Sequence, residues 1–97
     1  MGIRKIIWSK RATKQFTRTF LWYRDECGTQ FSTKFFKGII STVETLSTMP
    51  SIGRLDDSYK RKVAYYSFLA HPKYRIVYRF TDTELYIVAI HCTIQAG

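Results

Sequence analysis

Residues 73 to 80 (KYRIVYRF) alternate strictly. Tyr74, Ile76, Tyr78 and Phe80 fall on one side of an extended chain; Lys73, Arg75 and Arg79, with Val77 between them, fall on the other. Side chains along a strand point to opposite faces with a period of two, so the pattern predicts a half-buried strand with one apolar and one cationic face. The cationic face is either a solvated sheet surface or a binding surface for something anionic. The remaining elements read as support for this strand. Residues 3–8 (IRKIIW) alternate loosely and predict a first strand. Ser9 follows at a helix N-cap position, and Gly28 marks the end of that helix. Between them Ala12, Phe16, Phe20, Tyr23 and Cys27 form one apolar stripe, opposite Lys10, Arg11, Lys14, Arg18 and Arg24. A second helix starts between Thr29 and Ser32 and ends before Met49–Pro50, with its stripe at Phe31, Phe35, Ile39, Val43 and Leu46, widened by Phe36 and Ile40. Gly38 inside it costs about 1 kcal/mol of helix propensity and marks a close helix contact. The short break between the helices predicts an antiparallel helical hairpin.

Residues 50–61 are polar and turn-rich and predict a loop. Residues 62–69 (KVAYYSFL) predict a strand apolar on both sides, with His71–Pro72 as the turn into the next. A turn at residues 81–84 leads to residues 85–92 (LYIVAIHC), an almost continuously apolar strand that belongs in the middle of a sheet. The order is β-α-α-β-β-β. The last three strands form an antiparallel meander, and the helical hairpin packs on one face of that antiparallel sheet, an α+β fold in a single domain spanning residues 1–97.

Composition narrows the partners. Sixteen Lys and Arg against seven Asp and Glu give a formal charge of +9 over 97 residues. That balance suits a nucleic acid, the ribosome, a membrane surface or an acidic protein. No run of about 18 apolar residues predicts a transmembrane helix, and residues 1–8 lack the apolar core and cleavage site of a signal peptide. Cys27 and Cys92 are expected to remain thiols, and His71 and His91 have no metal-ligand spacing around them, so neither a metal nor a cofactor is expected.

The candidate site residues are the cations Lys60, Arg61, Lys62, Arg75 and Arg79, with His91, which titrates near neutral pH at its ordinary value of about 6.5. His91 reads equally as a half-buried structural residue at a strand end. Tyr86 offers a phenol to such chemistry but reads more readily as core. The cationic face of the first helix reads either as solvated or as a surface for the ribosome or an acidic protein. Tyr65, Tyr66, Tyr74 and Tyr78 offer base-stacking positions for a basic RNA-binding module, but periodicity puts Tyr74 and Tyr78 with Ile76 on the apolar face.

Four motifs in order resemble the RelE/ParE superfamily of toxins from bacterial type II toxin–antitoxin systems, the plasmid stabilisation proteins. They are WSKRATKQF at residues 8–16, LSTMPSIGR at 46–54, YRIVYRF at 74–80 and LYIVAIH at 85–91. The resemblance implies a cytoplasmic bacterial growth inhibitor, a cognate acidic antitoxin and one of two mechanisms. ParE-like members bind and poison DNA gyrase. RelE-like members are metal-independent endoribonucleases that cut mRNA in the ribosomal A site, using basic and polar groups to orient the 2′-hydroxyl and stabilise the phosphate. Arg75 stands where several cleaving members place a phosphate-facing arginine, and with His91 forms the candidate catalytic pair. Lys60, Arg61, Lys62 and Arg79 are the candidate contacts to nucleic acid or target. The residues after His91 lack the basic, His or Tyr types with which cleaving members often end, which favours the ParE-like reading. ParE-like members commonly close with "H..R"; here His91 is present and Ile94 replaces the arginine. The antitoxin is expected to fold on the helical hairpin as an amphipathic acidic segment, with Trp22 and Phe36, off the main stripes, as its contacts.

Overall fold

Ser9 sits between the first strand and the first helix and serves both. Its hydroxyl accepts a hydrogen bond from the Ala12 backbone N–H at 3.0 Å, capping the helix, and donates to the Val88 carbonyl at 2.9 Å. A computed structural model describes residues 3–55, 64–71 and 74–92. The elements are β1 (Lys5–Trp8), α1 (Lys10–Cys27), α2 (Thr29–Thr48), a 3-10 turn (Pro50–Ile52), β2 (Arg54–Leu55), β3 (Tyr66–His71), β4 (Tyr74–Phe80) and β5 (Glu84–Cys92). Gly28 alone separates the two helices. Its φ of 93° lies in the left-handed region that glycine enters without a side-chain clash, and its N–H closes α1 on the Arg24 carbonyl at 3.1 Å.

The sheet has five strands in the order β1-β5-β4-β3-β2. β2 through β5 pair antiparallel, while β1 joins the edge parallel to β5, Lys5 opposite Glu84 and Trp8 opposite Ile87. The sheet is therefore mixed. β5 lies between β1 and β4, the inner position that its apolar sequence predicts. The helices cover one face, where Ala12, Phe16 and Tyr23 of α1 and Phe35, Ile39, Val43 and Leu46 of α2 meet Ile76, Tyr78, Leu85, Ile87 and Ile90. Of the expected stripe residues, Cys27 and Phe31 stay exposed and Phe20 is half-buried. Two serines of α2 are buried instead, and each satisfies its hydroxyl within the helix: Ser32 donates to the Thr29 carbonyl and Ser47 to that of Glu44.

Three details depart from the sequence expectation. The polar stretch after Pro50 contains β2, which pairs Arg54 with Ser67 and Leu55 with Tyr66. Of the strand expected at 62–69, residues 64 and 65 carry no strand, residues 56–63 lie outside the described residues, and β3 runs on to His71, where a turn was expected. β5 contains a bulge: Val77 pairs with Ala89 but Tyr78 with Ile87, leaving Val88 extra. α1 and its cap answer the backbone there. Ser9 takes the Val88 carbonyl, and the Gln15 side-chain oxygen accepts from the Ile90 N–H at 2.8 Å. The bulge lets Ile87 and Ile90, three apart, both face the core. Among the described residues no helix is long and apolar enough to cross a membrane.

Candidate target-binding face

Ile76 and Tyr78 face the helices, so the alternate residues of β4 — Arg75, Val77 and Arg79 — face the other way. Directly opposed residues share a face, so the register builds three rows across the side of the sheet away from the helices. The first is Leu69–Arg75–His91, the second Arg54–Ser67–Val77–Ala89, and the third contains Arg79 and Tyr86. The middle row is small and low: Val77 and Ala89 are fully buried and Ser67 nearly so. Arg75 and Arg54 are exposed, and Arg79, Tyr86 and His91 half-buried. The result is a buried centre with Arg54, Arg75 and Arg79 on three sides.

The sequence-based candidates divide. Arg75 and His91 are brought together as cross-strand neighbours, and Arg79 shares their face. Lys60, Arg61 and Lys62 lie outside the described residues. Trp22 and Phe36 sit on the helical layer, on the other side of the sheet. Phe36 stacks on Phe16 at 5.0 Å between ring centroids and meets Phe20 edge-on at 5.6 Å, whereas Trp22 meets Tyr23 edge-on at 5.1 Å. Both remain exposed, Trp22 by 55% and Phe36 by 40%, so each still offers apolar surface. Tyr74 and Tyr78 are buried core residues, not open stacking positions.

Tyr86 belongs to this face and not to the core. Its ring lies under Arg79, whose guanidinium carbon is 3.9 Å from the centroid, and its hydroxyl donates to a Glu84 carboxylate oxygen at 2.5 Å. The bond to Glu84 is the main reason the phenol's pKa lies above its ordinary value of 10; the Arg79 charge pulls weakly the other way. Tyr86 therefore keeps its proton at neutral pH and acts as a positioned donor and a platform for Arg79, not as a base. Replacing Glu84 with Gln is expected to lower the Tyr86 titration towards its ordinary value. The check is an ultraviolet titration in which the Tyr86→Phe protein identifies the Tyr86 signal; an unmoved curve would mean that Glu84 does not hold the phenol. Arg54 escaped the sequence reading, and Tyr86 was weighed as a phenolic participant but placed in the core, for different reasons. Arg54 lies in a strand too short to show a period, while Tyr86 is flanked by apolar residues on both sides. Among the described residues, no three His, Cys, Asp or Glu side chains cluster as metal ligands would.

Two helices on one side of a five-stranded mixed sheet, with an arginine-lined face on the other, define a small α+β class. A family model described as the ParE toxin of the type II toxin–antitoxin system, parDE, matches residues 6–95. The chain belongs to this family of toxins. Solved structures similar to it include the chromosomal ParDE toxin–antitoxin system from P. aeruginosa, at 14% identity and a TM-score of 0.76 over 95% of this chain and 98% of that one. The YoeB dimer from Staphylococcus aureus aligns at 17% identity and a TM-score of 0.60, covering 98% of this chain and 100% of that one. A YoeB/ParE toxin from Agrobacterium tumefaciens aligns at 15% and 0.59, covering 93% and 99%. At such identities the likeness is one of fold. No curated protein matches the chain.

Proposed function

We propose that this toxin arrests growth by binding DNA gyrase through the sheet face that carries Arg54, Arg75 and Arg79 and is neutralised by an acidic antitoxin. The observation that carries the reading is the match to the ParE toxin model over nearly the whole chain, residues 6–95. The face itself supports docking over proton transfer. Arg54, Arg75 and Arg79 supply fixed cations that suit carboxylate or phosphate groups, while the Tyr86 phenol is held protonated by Glu84. A formal charge of +9 favours association with an acidic protein surface.

One observation favours a second reading, ribosome-dependent cleavage of mRNA: Arg75 and His91 stand opposite each other, a cation beside a group able to carry a proton. Two assays on the purified protein separate the readings. Loss of gyrase supercoiling with accumulation of cleaved DNA supports the first. Cuts at A-site codons, seen by primer extension only when ribosomes are translating, support the second and overturn the first. Binding to bare RNA without either effect would overturn both in favour of a basic RNA-binding module.

A further inference from the structure

Every exposed residue of α1 from Lys10 to Arg18 is Lys, Arg or Thr. Lys10, Arg11, Lys14 and Arg18 follow one another within just over two turns. Their spacing sets them on one side of the helix, opposite Ala12 and Phe16, which are buried in the core. With Gln15 they line an open furrow of about 410 Å³. Among the described residues none of these cations has an ion pair. The acids of α1, Asp25 and Glu26, stand in its last turn, where Asp25 pairs with Arg24.

This pattern works against the free helix. The positive end of a helix dipole lies at its N-terminus, yet the first turn holds Lys10 and Arg11 and no acid. Lys10 with Lys14, and Lys14 with Arg18, are like charges four positions apart, which repel on a helix surface. The helix needs none of them to form: Ser9 supplies its cap, and Ala12, Phe16 and Tyr23 supply its packing. A polyanion relieves both repulsions at once, because it meets the whole row.

The chemistry of the row selects among polyanions. Protein partners are held mainly by large side chains buried at the centre of the interface. The row exposes no apolar side chain, and Leu21 and Trp22 come only beyond Arg18. Single-stranded nucleic acid is held by stacking its bases on aromatic rings, which the row also lacks. Lys, Arg, Thr and Gln are side chains that contact the phosphates and sugars of a duplex. Cations about 6 Å apart along a helix face suit its regularly repeated charge.

We propose that the α1 row of Lys10, Arg11, Lys14 and Arg18 is a second binding surface, which holds the phosphate backbone of duplex DNA without reading its sequence. This rests on the gyrase reading above and deepens it. The sheet face with Arg75 meets the enzyme, while α1, on the other side of the sheet, meets the DNA on which that enzyme acts.

Fluorescence anisotropy of a short labelled DNA duplex, titrated with the purified toxin across a range of salt, tests the row without gyrase. The logarithm of the affinity is expected to fall against the logarithm of the salt concentration with a slope of about −3 to −4, as four phosphate contacts require. Lys10→Gln with Lys14→Gln is expected to reduce that slope by about two and to weaken binding by about tenfold or more. The same double variant is expected to melt about 2–4 °C higher at low salt, because a dipole clash and both like-charge pairs are gone. Affinity lost while stability is gained excludes misfolding as the cause. Lys34→Gln with Lys37→Gln makes the same change of charge on exposed positions of α2 and is expected to leave the slope close to that of the parent. Equal losses in the two double variants would mean that binding follows net charge, which overturns the row. So would no binding to the duplex at low salt, or tighter binding to a single-stranded RNA of equal length. If the row substitutions weaken only association with DNA-free gyrase, the partner is an acidic protein surface and the row is again overturned. If the unsubstituted toxin binds the duplex as expected but never binds gyrase, the gyrase reading falls and the row stands as a DNA-binding surface.

Discussion

Arg75→Ala is expected to abolish growth arrest while leaving the protein folded. Arg75 is exposed near the start of β4, opposite Leu69 on one side and His91 on the other, so it is the arginine that stands directly beside His91 on the face away from the helices. Removing an exposed side chain that fills no part of the core changes stability by about 0.5 kcal/mol or less. For a domain of this size that is a shift in Tm of about 4 °C at most. Losing one charged partner of a buried interfacial contact weakens association far more, by about 2–5 kcal/mol, or roughly 30- to 4,000-fold. The expectation holds under either toxin mechanism, because both require the guanidinium to meet an anionic group. Growth after induction measures the effect, and thermal melting of the purified variant verifies the fold. Full toxicity in Arg75→Ala would remove the arginine-bearing sheet face from the functional account.

The largest loss of stability is expected from Gly53→Ala, a substitution of one methyl group. Gly53 follows the 3-10 turn, and its φ of −76° is open to any residue, so conformational freedom is not what the position requires. Space is. An added Cβ would overlap the Tyr78 hydroxyl, lie 2.8 Å from the ring carbon bearing it and stand 3.0 Å from the Ser67 backbone oxygen. Tyr78 cannot yield easily. It is fully buried, stacks with Tyr66 at 5.9 Å between ring centroids, and donates its hydroxyl proton to the Pro50 carbonyl. Overpacking a core costs about 1–3 kcal/mol, and breaking a buried hydrogen bond adds about 1–3 more. A combined loss of about 3 kcal/mol corresponds to roughly 12–24 °C in Tm. A variant that melts within a few degrees of the parent would show that the turn simply moves aside.

The same tyrosine sets a pH dependence. Burial pushes its pKa up to about 12, with a hydrogen bond to the Gly53 backbone acting the other way. The folded state therefore holds the proton more tightly than the unfolded chain, whose tyrosines titrate near 10. The resulting stability is complete below about pH 10 and is lost as the pH rises towards about 12. Melting curves across that window should fall more steeply for the parent than for Tyr78→Phe.

Much of this architecture was legible because local chemistry and tertiary packing agree. Ser9 and Gly28 bound α1 in sequence and in structure, since the groups they satisfy are backbone groups within a few positions. The alternation of β4 put Arg75 and Arg79 on one face and Tyr74, Ile76 and Tyr78 on the other, as observed. Illegible features are those set by distant partners. A two-residue strand has no period, so β2 and Arg54 were hidden in a polar stretch. The bulge at Val88 leaves no mark in a run where both faces are apolar, so the phase change that carries Ile90 back to the core could not be read. Tyr86 was taken for core because its neighbours are apolar, and only the Arg79 register and the Glu84 bond place it on the open face. Gly38 was legible as unusual, but a Cβ added there meets no atom of the described residues within 4 Å, so it does not mark the close helix contact that its sequence position suggests.

The partnership between the first strand and the last also has a consequence in time. Among the described residues β1 has a single strand neighbour, β5, and the bulge in β5 is held by Ser9 and Gln15, contacts that span 79 and 75 positions of the chain. Pairings at such separation close late and slow the search for the native state. While the chain is being made, β1 and the start of α1 wait with their sheet partner not yet synthesised. The Arg75–His91 pair forms only when β5 has emerged and docked. The face that carries Arg75 and His91 is thus assembled only once β5 has joined both β1 and β4, and until then the growing chain presents no such face.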